Sequence, residues 1–76
     1  MQPGREGERV VVLRDVHRRL IDRQTGAELQ GERLVQRGDV LTVRRWVNAG
    51  AAICDLNDGG TVLMQGNEIE PEPEGR

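Results

Sequence analysis

The side chains best suited to chemistry in this sequence are arginines, and six of them fall into two groups. Four lie within residues 14–23 and two are adjacent on a later apolar stretch: Arg14, Arg18, Arg19, Arg23, Arg44 and Arg45. A guanidinium group is always charged, and its fork of N–H donors matches a carboxylate or a phosphate. If the first segment folds back on the second, the six form one basic patch for an acidic partner or RNA.

Trp46 is the only aromatic residue, and it directly follows Arg44 and Arg45. A half-buried Trp can cover one end of a small core, whereas a Trp beside arginines is also typical of an interface hot spot. The arginines could equally form a solvated rim that Asp15 and Asp22 partly neutralise. The candidate binding residues are therefore Arg18, Arg19, Arg23, Arg44, Arg45 and Trp46.

The charge distribution weighs against strong non-specific binding of nucleic acid. The chain has 76 residues, with 11 cations, all arginine, against 13 acids, for a net charge of −2. Four of the acids crowd residues 68–74, so residues 1–67 hold ten arginines against nine acids, which gives +1. Arginine without lysine is what a GC-rich genome yields, and we expect a bacterial or mobile-element source.

Residues that could support catalysis or bind a metal are few. Serine is absent, and Cys54 and His17, 37 residues apart, form the only thiol–imidazole pair in the sequence. One Cys and one His do not make a zinc site. Asp55, Asn57 and Asp58 resemble the start of a calcium loop, but the twelfth position holds Gly66 instead of Glu. We therefore expect no enzyme activity, no metal and no cofactor.

The lone thiol and the polar N-terminus indicate the cellular compartment in which the protein is expected. Cys54 follows Ala51-Ala52-Ile53, so we expect a buried, inert thiol. A single Cys forms no internal disulfide, which fits a reducing compartment. The N-terminus lacks the apolar core of a signal peptide, and no apolar run is long enough to cross a membrane. These features predict a cytoplasmic protein.

Turn residues divide the rest of the chain into about five short strands. The turns are Arg37-Gly38-Asp39, Asn48-Ala49-Gly50, Asn57 to Gly60 and Gly66-Asn67. The strands predicted between and around them span residues 10–13, 40–47, 51–56, 61–65 and 68–70. Short strands separated by tight turns are typical of a small barrel or sandwich.

Residues 14–24 allow two interpretations. Val16 and Leu20 at i, i+4, with Asp15 as a cap and Gly26 as a stop, would suit a short helix at 15–24. Leu20-Ile21 and Ala27 to Leu29, on either side of residues 22–26, favour a hairpin with Gly26 at positive φ. We prefer the hairpin.

The order of these features resembles the SH3-like barrel family. In that family a first strand precedes a long hairpin, a Gly-Asp turn opens a three-stranded meander, and a one-turn 3₁₀ step leads to a short last strand. The resemblance covers about residues 9–70, between a flexible lead-in at 1–8 and an acidic, proline-containing tail at 71–76. It implies a mostly β, single small barrel. Gly-Asp before a strand is also typical of KOW-type nucleic-acid-binding barrels.

The sequence lacks the ligand motifs of well-known SH3-like proteins. The aromatic shelf of peptide-binding SH3 domains is missing, so recognition of PxxP segments is not expected. Type II dihydrofolate reductases use a Val-Gln-Ile-Tyr motif and a Lys, whereas residues 62–65 read Val-Leu-Met-Gln and Lys is absent. We expect a non-catalytic binding module that contacts another protein or a second copy. The alternative is a KOW-type barrel that binds nucleic acid through Arg14, Arg18, Arg19, Arg23, Arg44 and Arg45.

The apolar residues of the predicted strands give an expected core. Alternation along each strand places one set of side chains inside. The expected core positions are Val11, Leu13, Leu29, Leu34, Leu41, Val43, Cys54, Leu56, Val62 and Ile69.

Overall fold

The β-branched runs and turn residues form seven strands in the computed structural model, which describes residues 7–73. The strands are β1 (Arg9–Val12), β2 (Val16–Ile21), β3 (Glu28–Val35), β4 (Val40–Asn48), β5 (Ala51–Asp55), β6 (Thr61–Gln65) and β7 (Ile69–Pro71). A one-turn 3₁₀ helix, Gly66–Glu68, precedes β7 and contains the Gly66-Asn67 turn expected from the sequence. The flexible lead-in predicted for residues 1–8 and the acidic tail predicted for residues 71–76 fall largely on residues 1–6 and 74–76, which lie outside the described residues.

The strands form two antiparallel sheets. One has five strands in the order β6-β5-β4-β1-β7, and the other is the β2–β3 hairpin. Every strand pair is antiparallel. The mostly β class is therefore confirmed, while both sheets are open within residues 7–73 and no closed barrel is found there.

Residues 15–24 contain a strand and a turn, so the short-helix alternative is wrong. Val16 pairs with Val35 across the β2–β3 hairpin. Asp15 was expected to cap that helix; its Oδ1 instead accepts a hydrogen bond from the Arg37 N–H at 2.7 Å. Gly26 has φ +79°, the left-handed conformation expected of a hairpin glycine.

The Gly38-Asp39 turn fixes β4 against β1. The Gly38 N–H donates to the Val12 carbonyl at 2.8 Å, and the Val12 N–H donates to the Asp39 carbonyl at 2.9 Å. Gly38 adopts φ +93°, a backbone conformation that is unfavourable for residues with a Cβ atom. This turn therefore sets the register in which Val10 lies opposite Leu41.

That register decides which face of β1 is buried, and it corrects part of the expected core. Val10 and Val12 are 0% and 1% exposed, whereas Val11 is half-buried. Val12 pairs with Ile69, another core residue. The sequence has four apolar residues in a row here, so alternation could not choose between the two faces.

The remaining expected core positions divide by strand. Leu41, Val43, Cys54, Val62 and Ile69 are buried as predicted, while Leu56 is half-buried against the core. Leu13, Leu29 and Leu34 are 39%, 46% and 43% exposed, so their assignment to the core was wrong. Leu29 and Leu34 lie on β3, which pairs only with β2 among the described residues and has one buried residue, Val35.

Candidate functional site

A groove lies between the turn of the β2–β3 hairpin and the side of β4–β5–β6 that faces away from the core. Its volume is about 400 Å³. Among the described residues, Ile21, Val47, Ile53 and Leu63 form the apolar part of its lining. The charged part consists of Arg18, Arg19, Arg45 and Glu28. We call this cavity the groove.

A bulge in β4 turns Arg45 toward the groove. Val43 pairs with Cys54 on the core side, and the register then shifts so that Arg45 pairs with Ile53. Cys54 and Ile53 are consecutive on β5, so they point to opposite faces. The extra residue of the bulge is Arg44. Its guanidinium pairs with Asp55, with Nη2 and Oδ2 2.9 Å apart.

The hairpin turn that overhangs the groove is ordered by Asp22. Its Oδ1 accepts the N–H groups of Gln24 at 2.7 Å and Thr25 at 3.0 Å. The backbone N–H of Thr25, followed by that of Gln24, lowers the pKa of Asp22 below its ordinary value. Gly26 passes close to the groove floor, since a Cβ added there would lie 3.9 Å from Ile53 Cδ1.

Arg18 holds the hairpin to the main sheet through a buried carboxylate. Glu68 is 4% exposed and forms an ion pair with Arg18. Arg18 Nε also donates to the Leu63 carbonyl at 3.1 Å, and Glu68 Oε1 accepts the Gln65 N–H at 2.9 Å. The guanidinium of Arg18 is thus engaged by the protein itself and acts chiefly to position the groove wall.

The other predicted arginines are distributed over several sites. Arg14 Nη2 lies 3.8 Å from Glu68 Oε2, outside the groove. Arg19 Nε lies 3.6 Å from Glu28 Oε1 at the rim. Arg23 lines a separate depression with Leu29 and Gly60. Of the six arginines, the structure brings Arg18, Arg19 and Arg45 together.

Trp46 lies on the opposite side of the sheet from the groove. It lies opposite Ala52 in the β4–β5 pairing and packs against the core, where it is half-buried.

The sequence did not indicate the groove's apolar residues, because Ile21, Ile53 and Leu63 resemble ordinary core positions. Glu68 was missed as well, because it was counted with the acidic C-terminus. Its spacing from Gln65, i to i+3, is that of a capping box and was the available signal.

The thiol of Cys54 and the imidazole of His17 lie in different parts of the fold. Cys54 is 0% exposed in the core, and His17 is exposed on β2 opposite Leu34. Residues 7–73 contain no group of three or more His, Cys, Asp or Glu residues that could hold a metal ion. The same part of the chain has no helix long and apolar enough to cross a membrane.

Burial raises the pKa of the Cys54 thiol from 9.0 to about 12, with a smaller effect from Asp55. Between about pH 9 and 12 the unfolded chain loses this proton and the folded chain keeps it. We therefore expect the free energy of unfolding to fall by about 1.4 kcal/mol per pH unit in this window. Lysine and tyrosine, which would titrate there, are absent.

Urea titrations at several pH values, with Cys54→Ala as the control, test this expectation. The variant is less stable at neutral pH but has a flatter dependence on pH above 9. Equal slopes for the two proteins would contradict the assignment of the alkaline loss to this thiol.

No protein-family model, no curated protein and no solved structure significantly matches this chain.

Proposed function

We propose that this chain is a small, non-catalytic binding module that holds a segment of another protein in the groove. The observation that carries this is the groove itself, a cavity of about 400 Å³ with an apolar floor and a rim to which the described residues contribute three arginines. Val47, on its lining, is 52% exposed. Protein interfaces commonly combine an apolar centre with a polar rim.

We infer an SH3-like arrangement for the module. The order of elements supports it, with a long hairpin after β1, the Gly38-Asp39 turn, the β4–β5–β6 meander and a 3₁₀ step before β7. In this arrangement the hairpin forms one wall of the groove and the meander forms its floor. The binding residues thus stand on strands, which hold them in fixed positions.

The pairing of the arginines favours a protein partner over nucleic acid. Arg14 and Arg18 pair with Glu68, Arg19 pairs with Glu28, and Arg44 pairs with Asp55. Affinity for nucleic acid depends on the number of cations that neutralise phosphates. Internal pairing of four of the six arginines reduces that number.

A selection from a displayed library of random dodecapeptides tests the proposal. We expect enriched peptides that bind the intact chain and lose binding to Val47→Asp, because the new charge lies on the apolar lining. Leu34→Asp is the matched control, since Leu34 is 43% exposed and lies outside the groove. Peptides that bind the Val47→Asp and Leu34→Asp proteins equally, or no enrichment at all, would contradict the proposal.

A further inference from the structure

We infer that the groove selects segments that present a carboxylate next to an aliphatic side chain, and that Arg45 binds the carboxylate. This rests on the proposed function and adds the chemistry of the partner.

The floor of the groove suits an aliphatic side chain. Ile21 and Ile53 are 8% and 2% exposed, so they form a fixed apolar base. Leu63 is half-buried and Val47 is 52% exposed, so both can lose further surface to a ligand. Within residues 7–73 no aromatic ring lines the groove, and Trp46 is the single aromatic residue of the sequence, so stacking on bases or prolines is not available to the groove. What remains is burial of aliphatic surface, which the hydrophobic effect favours.

The charge of the rim suits an anion. Among residues 7–73, the lining contains three arginines and one acidic residue, Glu28. A positive rim attracts carboxylates and disfavours a partner segment rich in Lys or Arg.

The three arginines differ in what they can offer a ligand. Arg18 is engaged with Glu68 and the Leu63 carbonyl. Arg19 has Glu28 within 3.6 Å, and both side chains are at least half exposed. The Arg45 side chain is exposed and forms no hydrogen bond or ion pair with another residue in the range 7–73. Arg45 is therefore the guanidinium with its donors free for a carboxylate.

Arg44 and Arg45 provide a matched pair of variants. Both are exposed and adjacent, and replacement of either by glutamine changes the net charge equally. Only Arg45 lines the groove, whereas Arg44 pairs with Asp55. A difference in binding between Arg45→Gln and Arg44→Gln therefore reports position and not overall charge.

The experiment titrates the most enriched dodecapeptide of the selection, labelled with fluorescein, against each protein by fluorescence anisotropy. A second peptide carries Asn or Gln in place of each Asp or Glu. We expect acidic and aliphatic residues side by side in the enriched peptides. Loss of a hydrogen-bonded ion pair predicts about tenfold weaker binding to Arg45→Gln and at most a twofold change for Arg44→Gln. The amide peptide should bind the wild-type chain about tenfold more weakly than the acidic peptide does. To Arg45→Gln, the amide peptide should bind only slightly more weakly than the acidic peptide.

Two results separate this inference from the function beneath it. Peptides that require Val47 but lack acidic residues, or that bind Arg45→Gln as tightly as wild type, overturn the carboxylate assignment and leave the binding module intact. Absence of any Val47-dependent peptide overturns both.

Two further measurements test whether the groove binds nucleic acid or a second copy of this chain instead of a peptide. A single-stranded RNA oligonucleotide that displaces the peptide, and whose own binding needs Arg45, overturns the peptide assignment in favour of nucleic acid. Sedimentation velocity that detects a dimer lost in Val47→Asp overturns it in favour of a second copy of this chain. A monomer that binds the acidic peptide and not the RNA supports it.

Discussion

Replacement of Arg18 by alanine is expected to lower the free energy of unfolding by about 3 kcal/mol, because it leaves a buried carboxylate without its cation. Glu68 is 4% exposed, and its Oε2 pairs with Arg18. The nearest alternative cation, Arg14, is 3.8 Å from the same oxygen and is largely exposed. A domain of this size has a total stability of about 4–11 kcal/mol, so the loss is a large fraction of the whole.

Two controls isolate the buried charge as the cause. Arg19→Ala removes the neighbouring arginine, whose pair with Glu28 is exposed, and should cost about 0–1 kcal/mol. In a Glu68→Gln background a neutral amide replaces the carboxylate, and the amide oxygen can still accept the Gln65 N–H. Arg18→Ala should therefore cost clearly less in that background than in the wild type.

Urea denaturation followed by fluorescence measures these differences, since Trp46 is the single aromatic reporter and packs against the core. Arg18→Ala should also weaken peptide binding, because the hairpin wall loses its bond to β6 at the Leu63 carbonyl. An Arg18→Ala protein as stable as Arg19→Ala would show that the ion pair contributes no more than a surface contact.

Leu41→Ala is the second large effect, with an expected loss of about 2–5 kcal/mol. Leu41 is 2% exposed and is among the largest buried side chains of the core. Its truncation removes apolar contacts and leaves a cavity that the surrounding valines and Met64 only partly fill. A loss at the upper end of this range would remove most of the free energy of unfolding of a domain of this size.

Leu34→Ala makes the same chemical change at an exposed position. Leu34 is 43% exposed on β3, so its truncation should cost about 1 kcal/mol. Thermal and urea denaturation of the two variants compares them directly. If Leu41→Ala unfolds the chain completely, Leu41→Val, a smaller truncation, gives the measurable intermediate. Equal losses for Leu41→Ala and Leu34→Ala would refute the division between the core and the β3 surface.

Turn chemistry made much of the fold predictable. Gly26, Gly38 and Gly59 all adopt positive φ, and each lies in a turn expected from the sequence. These residues set where strands end independently of distant contacts, because the left-handed conformation is inexpensive only for glycine. The strand Thr61–Gln65 and the start of Val40–Asn48 accordingly match their expected bounds.

The face of each strand was predictable only where apolar and polar residues alternate. Along Val40–Asn48, Leu41 and Val43 are buried as expected. Along residues 10–13 every side chain is apolar, and the buried face was set by pairing with Leu41 and Ile69, which are distant in sequence. Leu29 and Leu34 were misassigned because β3 pairs only with β2 among residues 7–73, and its residues before Val35 are exposed or half-buried.

The sequence by itself determined the β class, the turns and a surplus of arginines in two segments. Tertiary structure decided which arginines meet. The β4 bulge separates the adjacent Arg44 and Arg45, so that only the second lines the groove. The fold also places Glu68 against Arg18, 50 positions away, which turns a suspected ligand-binding arginine into a structural one. Turns and strands follow from local conformational preference, whereas the partner of a charge depends on which distant segments the register brings together.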